Sequence, residues 1–313
     1  MMDDKNHSVP NEFILLGLTD NPMLKAPLFA LFLLAYILTL LGNLGIIVLI
    51  QLDPHLHTPM YFFLCQLSFV DICFSSDITP KMLIDLLAKE KRISVTACVT
   101  QLFIFCTFGS TEALLLAAMA YDRYVAVCRP LRYATIMTKS FCVWLMAGVL
   151  IGGFVHSMIE TGCTFRLSFC RWEIHHFCCD VPPLLKLSCV DTYFNEVVMF
   201  ICAGFLVNLS LLVVLVSYAS IILAVLQMRS STGLFRVLST CGSHFIGVTL
   251  YFGTILFTYI RPSSSYSLDQ DKAVTLFYTV VIPLLNPLIY SLRNKDVKAA
   301  FRKTVAGTGH VQR

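Results

Sequence analysis

Asp122-Arg123-Tyr124 sets a carboxylate beside a guanidinium at the end of an otherwise apolar stretch. Such a pair can hold and release like a switch, although an arginine that merely snorkels to a membrane surface is the plainer use of the same residues. Asp71 and Glu112 are acids within apolar runs, where a charge at mid-depth of a bilayer costs roughly 3 kcal/mol or more. They must face the interior of a bundle and find polar partners, and Asn43 and Asn286 stand at similar depth. That cluster can be satisfied by protonation and hydrogen bonding or by a cation. Cys98, Cys170, Cys178, Cys179 and Cys189 supply thiols for cross-links, and any four of them allow three connectivities between which spacing does not choose. His175, His176, Cys178 and Cys179 crowd together, yet their spacing is not that of a zinc motif, and no metal site is expected. No His-Glu-x-x-His string and no paired catalytic aspartates are present, so the chain does not read as an enzyme. Residues 273–292 contain no Lys that could hold retinal as a Schiff base.

The elements that must position these groups follow from the charge spacing. Of 313 residues, 57% are hydrophobic and only 13% charged, too few to cover the surface of a soluble domain of this length. A helical span needs roughly 20 apolar residues. Uncharged runs fall at 26–52, 93–111, 140–159, 197–228, 237–260 and 273–292, and a further apolar stretch at 58–86 is interrupted by Asp71, Asp77, Lys81 and Asp85. Backbone polar groups in lipid must be bonded within the segment, which leaves helices as the only reading. The predicted fold is therefore an all-α membrane protein, a bundle of seven transmembrane helices. An odd number of spans puts the two ends of the chain on opposite sides. A transporter would be expected to repeat its halves, and no repeat is visible. No cleavable signal peptide is visible either, so the first span is expected to direct insertion.

Orientation rests on several weak signals that agree. With the N-terminus outside, 12 Lys and Arg lie on the inner side and 10 on the outer, with Lys81 inside the second span. The basic inner surface suits anionic lipid or an acidic partner, and nothing in it suggests nucleic acid. Asn6-His7-Ser8 is a glycosylation sequon at Asn6 on the outer tail, and the five clustered cysteines fall in the oxidising compartment. Residues 1–25 are read as an extracellular tail and 26–293 as the seven-span domain. Residues 294–313 are read as a cytoplasmic tail opening with an amphipathic helix, in which Val297, Ala300 and Phe301 share a face among cations.

Four strings carry a family resemblance. Met119-Ala120-Tyr121-Asp122-Arg123-Tyr124-Val125-Ala126-Val127-Cys128 ends the third span, and Leu56-His57-Thr58-Pro59-Met60-Tyr61-Phe62-Phe63-Leu64 opens the second. Ser239-Thr240-Cys241-Gly242-Ser243-His244 opens the sixth, and Pro283-Leu284-Leu285-Asn286-Pro287-Leu288-Ile289-Tyr290 closes the seventh. Over residues 6–303 the chain resembles the odorant receptors, a branch of the rhodopsin-like G-protein-coupled receptors. His57-Thr58-Pro59 is similar to their tetrapod-type class.

The resemblance implies a receptor for small, mostly apolar volatiles that activates a stimulatory, olfactory-type G protein and raises cyclic AMP, in the plasma membrane of olfactory cilia. A rhodopsin-like receptor for an endogenous lipid or small metabolite is the rival reading. It further implies that Asp122, Arg123 and Tyr124 form the G-protein switch with Tyr218, Asn286, Pro287 and Tyr290. A sodium ion would sit near Asp71 with Asn43, Glu112 and Asn286. Cys98 would pair with Cys179 and Cys170 with Cys189, leaving Cys178 over.

Leu102, Phe105, Cys106, Gly109, Ser110 and Ala113 recur at helical spacing on one face of the third span. In the family that face lines the ligand pocket with Cys202, Leu206, Phe252, Ile255, Tyr259, Leu276 and Thr279. Phe105 stands where amine receptors place an Asp, which argues against a protonated amine held in that way. Tyr251-Phe252-Gly253 departs from the family's Phe-Tyr-Gly, so the aromatic beneath the pocket would lack a hydroxyl.

Overall fold

The computed structural model describes residues 11–227, 231–260, 268–293 and 295–308. Strand β1 (Glu12–Leu15) precedes helices α1 (Pro22–Leu52) and α2 (Pro59–Leu87). Strand β2 (Arg92–Ser94) then leads into α3 (Val95–Cys128), a single turn α4 (Tyr133–Ile136) and α5 (Lys139–Phe165). Strand β3 (Glu173–Ile174) and the short α6 (Val181–Leu185) lie in the loop before α7 (Tyr193–Gln227) and α8 (Ser231–Ile260). The last span is α9 (Leu268–Leu276), a π-helical turn Phe277–Val281 and α10 (Ile282–Arg293), and α11 (Lys295–Thr308) follows it.

Six described helices are long and apolar enough to cross a bilayer, counting α9 to α10 as one, and Cys241–Leu256 of α8 is a shorter apolar stretch. Burial is inverted relative to a water-soluble protein. Leu31, Leu34, Leu38 and Leu41 of α1 and Phe200, Ile201 and Phe205 of α7 are exposed, whereas Asn43, Asp71, Thr111 and Glu112 are fully buried. Apolar side chains outside and polar ones inside is the arrangement that lipid selects.

Local chemistry sets the helix starts. Asn21 caps α1 by accepting from the Met23 N–H at 3.0 Å, and Pro22 occupies the first turn, where its missing N–H has no consequence. The helix thus begins at Pro22, ahead of the uncharged run at 26, with Lys25 in its first turns. Ser94 caps α3 and Thr138 caps α5 in the same way, each at 3.2 Å. Helix α3 is the axis of the bundle, packed against α2, α5, α7 and α8. Gly153 on α5 allows the closest of these approaches, since a side chain there would run into Thr111 and the Thr107 carbonyl of α3.

The outer end carries a small sheet in the order β2-β1-β3, with β1 antiparallel to β2 and parallel to β3. Residues 12–15 are thus part of a folded cap. Phe13 and Leu15 point into a separate outer core with Leu102, Ile174 and Cys179. The chain turns at Gly17, two residues beyond the strand, where a φ of 76° suits glycine, and the Lys91 ammonium packs against it while donating to the Leu16 carbonyl at 2.6 Å and to Asp20 at 2.9 Å. That contact holds the Asp20 carboxyl below the usual carboxylate range.

Candidate functional site: an outer cavity and an inner polar lock

The loop between α5 and α7 is tied down twice. Cys98 on α3 is bonded to Cys179, and Cys170 is bonded to Cys189. Gln101, one turn below Cys98, accepts from the Cys179 N–H at 2.9 Å and donates to the Asp77 carbonyl at 3.2 Å, so the loop is fastened to α2 and α3 together. Cys178 remains a free, buried thiol, 3.2 Å from His176 Nδ1. Among the described residues no cluster of His, Cys, Asp and Glu could hold a metal ion. Burial, with the Lys272 charge assisting, pushes the His176 imidazole down to about 4. Burial also pushes the Asp180 carboxyl up to about 6, against the Val181 N–H that it accepts at 2.7 Å.

Beside this loop lies a cavity of about 870 Å3 between α5, α6, α7 and the start of the last span. Its walls are apolar at Val181, Met199, Phe200 and Val274 and polar at His156, Glu160, Asp180 and Thr275. Of the α3 face singled out in the sequence, Cys106 lines this cavity. The others lie elsewhere, and the reason is the loop. Phe177 and Cys178 fold in against Phe105, Phe74 and Ile78, and Cys179 covers Leu102, so these positions are packed rather than open. The Gly109 carbonyl is taken by the Tyr251 hydroxyl at 2.7 Å, and Ala113 is core. Ser110 hydrogen-bonds His156 Nδ1 at 2.9 Å. Leu206, Phe252 and Ile255 belong to the main core, Leu276 packs beside Phe105, and Thr279 donates to the Thr275 carbonyl at 2.7 Å. Cys202 is half-buried on α7. The side chain of Tyr259 lies outside the described residues, as does Asn6. The hydroxyl missing at Phe252 is supplied one residue earlier, because Tyr251 points to α3.

At mid-depth, Asn286 Nδ2 donates to both carboxylate oxygens of Asp71 at 3.2 and 3.0 Å. Asn43 does not join the acids. Its Nδ2 donates to the Thr39 carbonyl at 3.0 Å and to the Pro283 carbonyl at 3.1 Å. Pro283 lies four residues before Pro287, which has no N–H to offer it, so Asn43 satisfies the acceptor that the proline orphans. The Glu112 oxygens and Asn43 Oδ1 are buried without a hydrogen-bond partner. The Glu112 carboxyl suits a proton or a small hard cation.

Toward the inner end, Arg123 Nε donates to Asp122 Oδ2 at 3.0 Å, a second guanidinium nitrogen donates to the same oxygen, and the Tyr133 hydroxyl donates to Asp122 Oδ1 at 2.8 Å. Both ion-pair partners are buried, and Tyr124 beside them is half-buried. Tyr218 and His244 form the neighbouring pair. His244 Nε2 lies 3.1 Å from the Leu116 carbonyl and must carry the proton to bond it, which leaves Nδ1 to accept from the Tyr218 hydroxyl at 2.7 Å. The Tyr290 hydroxyl is buried without a partner, facing Gly247.

The seven-helix bundle has a solved counterpart. Squid rhodopsin superimposes with a TM-score of 0.70 at 19% identity, covering 91% of this chain and 81% of that one, which establishes the rhodopsin-like fold. The olfactory receptor family model matches residues 32–307. Olfactory receptor 5AR1 of Mus musculus is 53% identical over 305 residues, 97% of this chain and 98% of its own. Olfactory receptor 5AP2 of Homo sapiens is 54% identical over 300 residues, 96% and 95% of the two chains.

The chain belongs to the olfactory receptor family.

As an olfactory receptor it is a multi-pass protein of the plasma membrane and not an enzyme, in a family that binds odorants and couples to G proteins. The sequence assigns no role to several residues of the receptor's two sites, among them His156, Glu160, Asp180, Tyr133 and His244. His156 and Glu160 do carry a signal, being one helical turn apart where the fourth uncharged run ends. Asp180 and Tyr133 lie in irregular segments whose path no periodicity predicts.

Proposed function

We propose that this receptor takes up small, mostly apolar volatile molecules in the outer cavity and activates a stimulatory, olfactory-type G protein, raising cyclic AMP. The observation that supports it best is the pairing of two features along α3. A cavity reaches that helix at its outer half through Cys106, and a buried ion pair closes it at Asp122 and Arg123. An agonist that contacts the active bundle better than the resting one shifts the equilibrium by that difference in affinity alone. Arg123 then leaves Asp122, and Arg123, Tyr218 and Tyr290 shape the crevice that receives the G-protein alpha subunit, with Pro287 and Asn286 allowing the last span to bend.

Asp71 and Glu112, with Asn286, would hold a sodium ion in the resting state. Helix α11 would lie along the inner leaflet, with Val297 and Ala300 buried and Lys298, Arg302 and Lys303 toward anionic lipid. Asn6 would carry the glycan. The test is a cyclic-AMP reporter screen of volatile compounds in cells expressing the full chain, with surface delivery measured by labelling intact cells. Arg123→Ala is expected to abolish agonist-dependent signal at equal surface level, and an unchanged response would remove the proposed switch.

A further inference from the structure

The outer cavity pairs apolar walls with a group of acids. Among the described residues, Glu160, Asp180, Glu196 and Asp271 line it, with one lining ammonium, Lys186. Glu160 is the deepest of these acids. It is 3% exposed, and its Oε1 has no hydrogen-bond partner. Among the described residues the basic group paired with it is His156, whose Nε2 lies 3.6 Å away, too long for a hydrogen bond, and is itself unpartnered. His156 Nδ1 is held by Ser110 at 2.9 Å, so the ring is fixed from the α3 side and its far edge is presented to Glu160. Buried polar atoms that lack partners are rare in folded proteins, and each calls for an explanation. Here two of them stand a hydrogen-bond-plus-gap apart on the wall of a cavity.

We propose that the preferred ligands are small hydrophobic amines bound as ammonium ions, with Glu160 as the anchor and the His156–Ser110 pair as its positioning support. This deepens the reading of the cavity as a volatile-binding site and rests on it. An alkylammonium has the ordinary pKa of a lysine side chain, near 10.4, and so enters charged at neutral pH. Burying a charge is unfavourable unless it is paired and hydrogen-bonded, and an ammonium supplies the donors that Glu160 Oε1 lacks. A carboxylic acid of the same skeleton would set a second carboxyl against that of Glu160. The apolar walls at Val181, Phe200 and Val274 take the carbon skeleton. Phe105 offers no acid for an amine at its position on α3, and the anchor lies on the neighbouring α5 instead.

The experiment uses the full-length receptor in cells with a cyclic-AMP reporter, surface labelling and a control receptor for the G protein. Linear, branched and cyclic seven-carbon skeletons are each presented as the amine, the alcohol and the carboxylic acid. For at least one skeleton the amine is expected to be at least tenfold more potent than the alcohol, about 1.4 kcal/mol, with the acid weakest. Glu160→Gln is expected to lower the potency of the amine at least tenfold relative to that of the alcohol of the same skeleton, whatever it does to both, and Glu160→Asp to retain part of the preference. Alcohols or acids that match or exceed the amines in the unmodified receptor overturn the proposal without any variant, and so does an amine response that survives Glu160→Gln undiminished. If no member of the set activates a receptor that reaches the surface while the control responds, the cavity is not a site for small volatiles and both readings fall.

Discussion

Tyr133→Phe removes one hydrogen bond from the inner lock and leaves the Arg123–Asp122 pair in place, which makes it a measured weakening of the resting state. The lost bond runs from the Tyr133 hydroxyl to Asp122 Oδ1 at 2.8 Å. A hydrogen bond to a charged acceptor contributes about 1.5–3 kcal/mol, and the half-exposure of Tyr133 at the water boundary puts this one at the lower end. If activation separates α4 from α3 and Arg123 from Asp122, the active state never had this bond. The substitution then shifts the resting-to-active ratio about tenfold, since 1.4 kcal/mol corresponds to a factor of 10. Basal cyclic AMP per receptor at the surface is expected to rise by about that factor, and agonist potency to improve because less of the ligand's differential affinity is used to open the lock. Basal signal that stays flat at matched surface level refutes the idea that Tyr133 belongs to the lock. A fall in basal signal with normal delivery would place the bond in the active state instead.

Three further outcomes follow from the geometry. Cys98→Ala is expected to lose surface delivery, because it removes the tie between α3 and the outer loop and a native disulfide contributes about 2–5 kcal/mol; labelling of intact cells reads this directly. Asn43→Leu leaves the Pro283 carbonyl without a donor in a buried position, at roughly 1–3 kcal/mol, and is expected to lower the melting temperature of the detergent-purified receptor by several degrees. Asp180 is raised to about 6 by burial, so the folded loop binds its proton more tightly than the unfolded chain does and stability falls as pH rises from about 4 to about 6. His176, lowered to about 4, acts in the opposite sense over a similar range, gaining stability as pH rises. The clean measurement is therefore the difference between the receptor and Asp180→Asn, which keeps the acceptor for the Val181 N–H. That difference is expected to move in favour of the Asn variant between pH 4 and 7 and to be constant above it.

The spans were legible because lipid imposes a crude rule, length and absence of charge, and the family strings fixed their order. Asp71 with Asn286 and Arg123 with Asp122 were legible for the same reason: a polar group inside an apolar run has few places to go. The cavity was not legible. Helical spacing correctly places Leu102, Phe105, Gly109 and Ser110 on one face of α3, but it says nothing about what covers that face. The cover is Phe177, Cys178 and Cys179, which arrive from a loop with no periodic signal and take the space beside Leu102 and Phe105. The open volume is thereby moved toward α5 and α7. Asn43 shows the same limit at a single residue. Its depth was evident, yet its partner was decided by a missing N–H at Pro287, a backbone property that a search for matching side chains overlooks.

The seam between α3 and α8 sets how much differential affinity a ligand would need to move this bundle under the proposed switch. Two side chains of α8, seven residues apart, reach two carbonyls of α3 that are also seven residues apart: Tyr251 to Gly109 at 2.7 Å and His244 to Leu116 at 3.1 Å. Two turns of one helix are thus matched to two turns of the other, in antiparallel register. Both carbonyls lie inside the helical run of α3, where the helix supplies its own bonding partner, so losing the α8 donor does not orphan them. Interhelical bonds of this kind in membranes average only about 0.6 kcal/mol. The pair together then holds α8 by about 1.2 kcal/mol, close to the factor of 10 that a ligand gains from about 1.4 kcal/mol of differential affinity. Stronger clasps at this seam would demand a tightly bound agonist. Under the proposed switch, two replaceable bonds would let a small molecule, with few atoms to contribute, release α8.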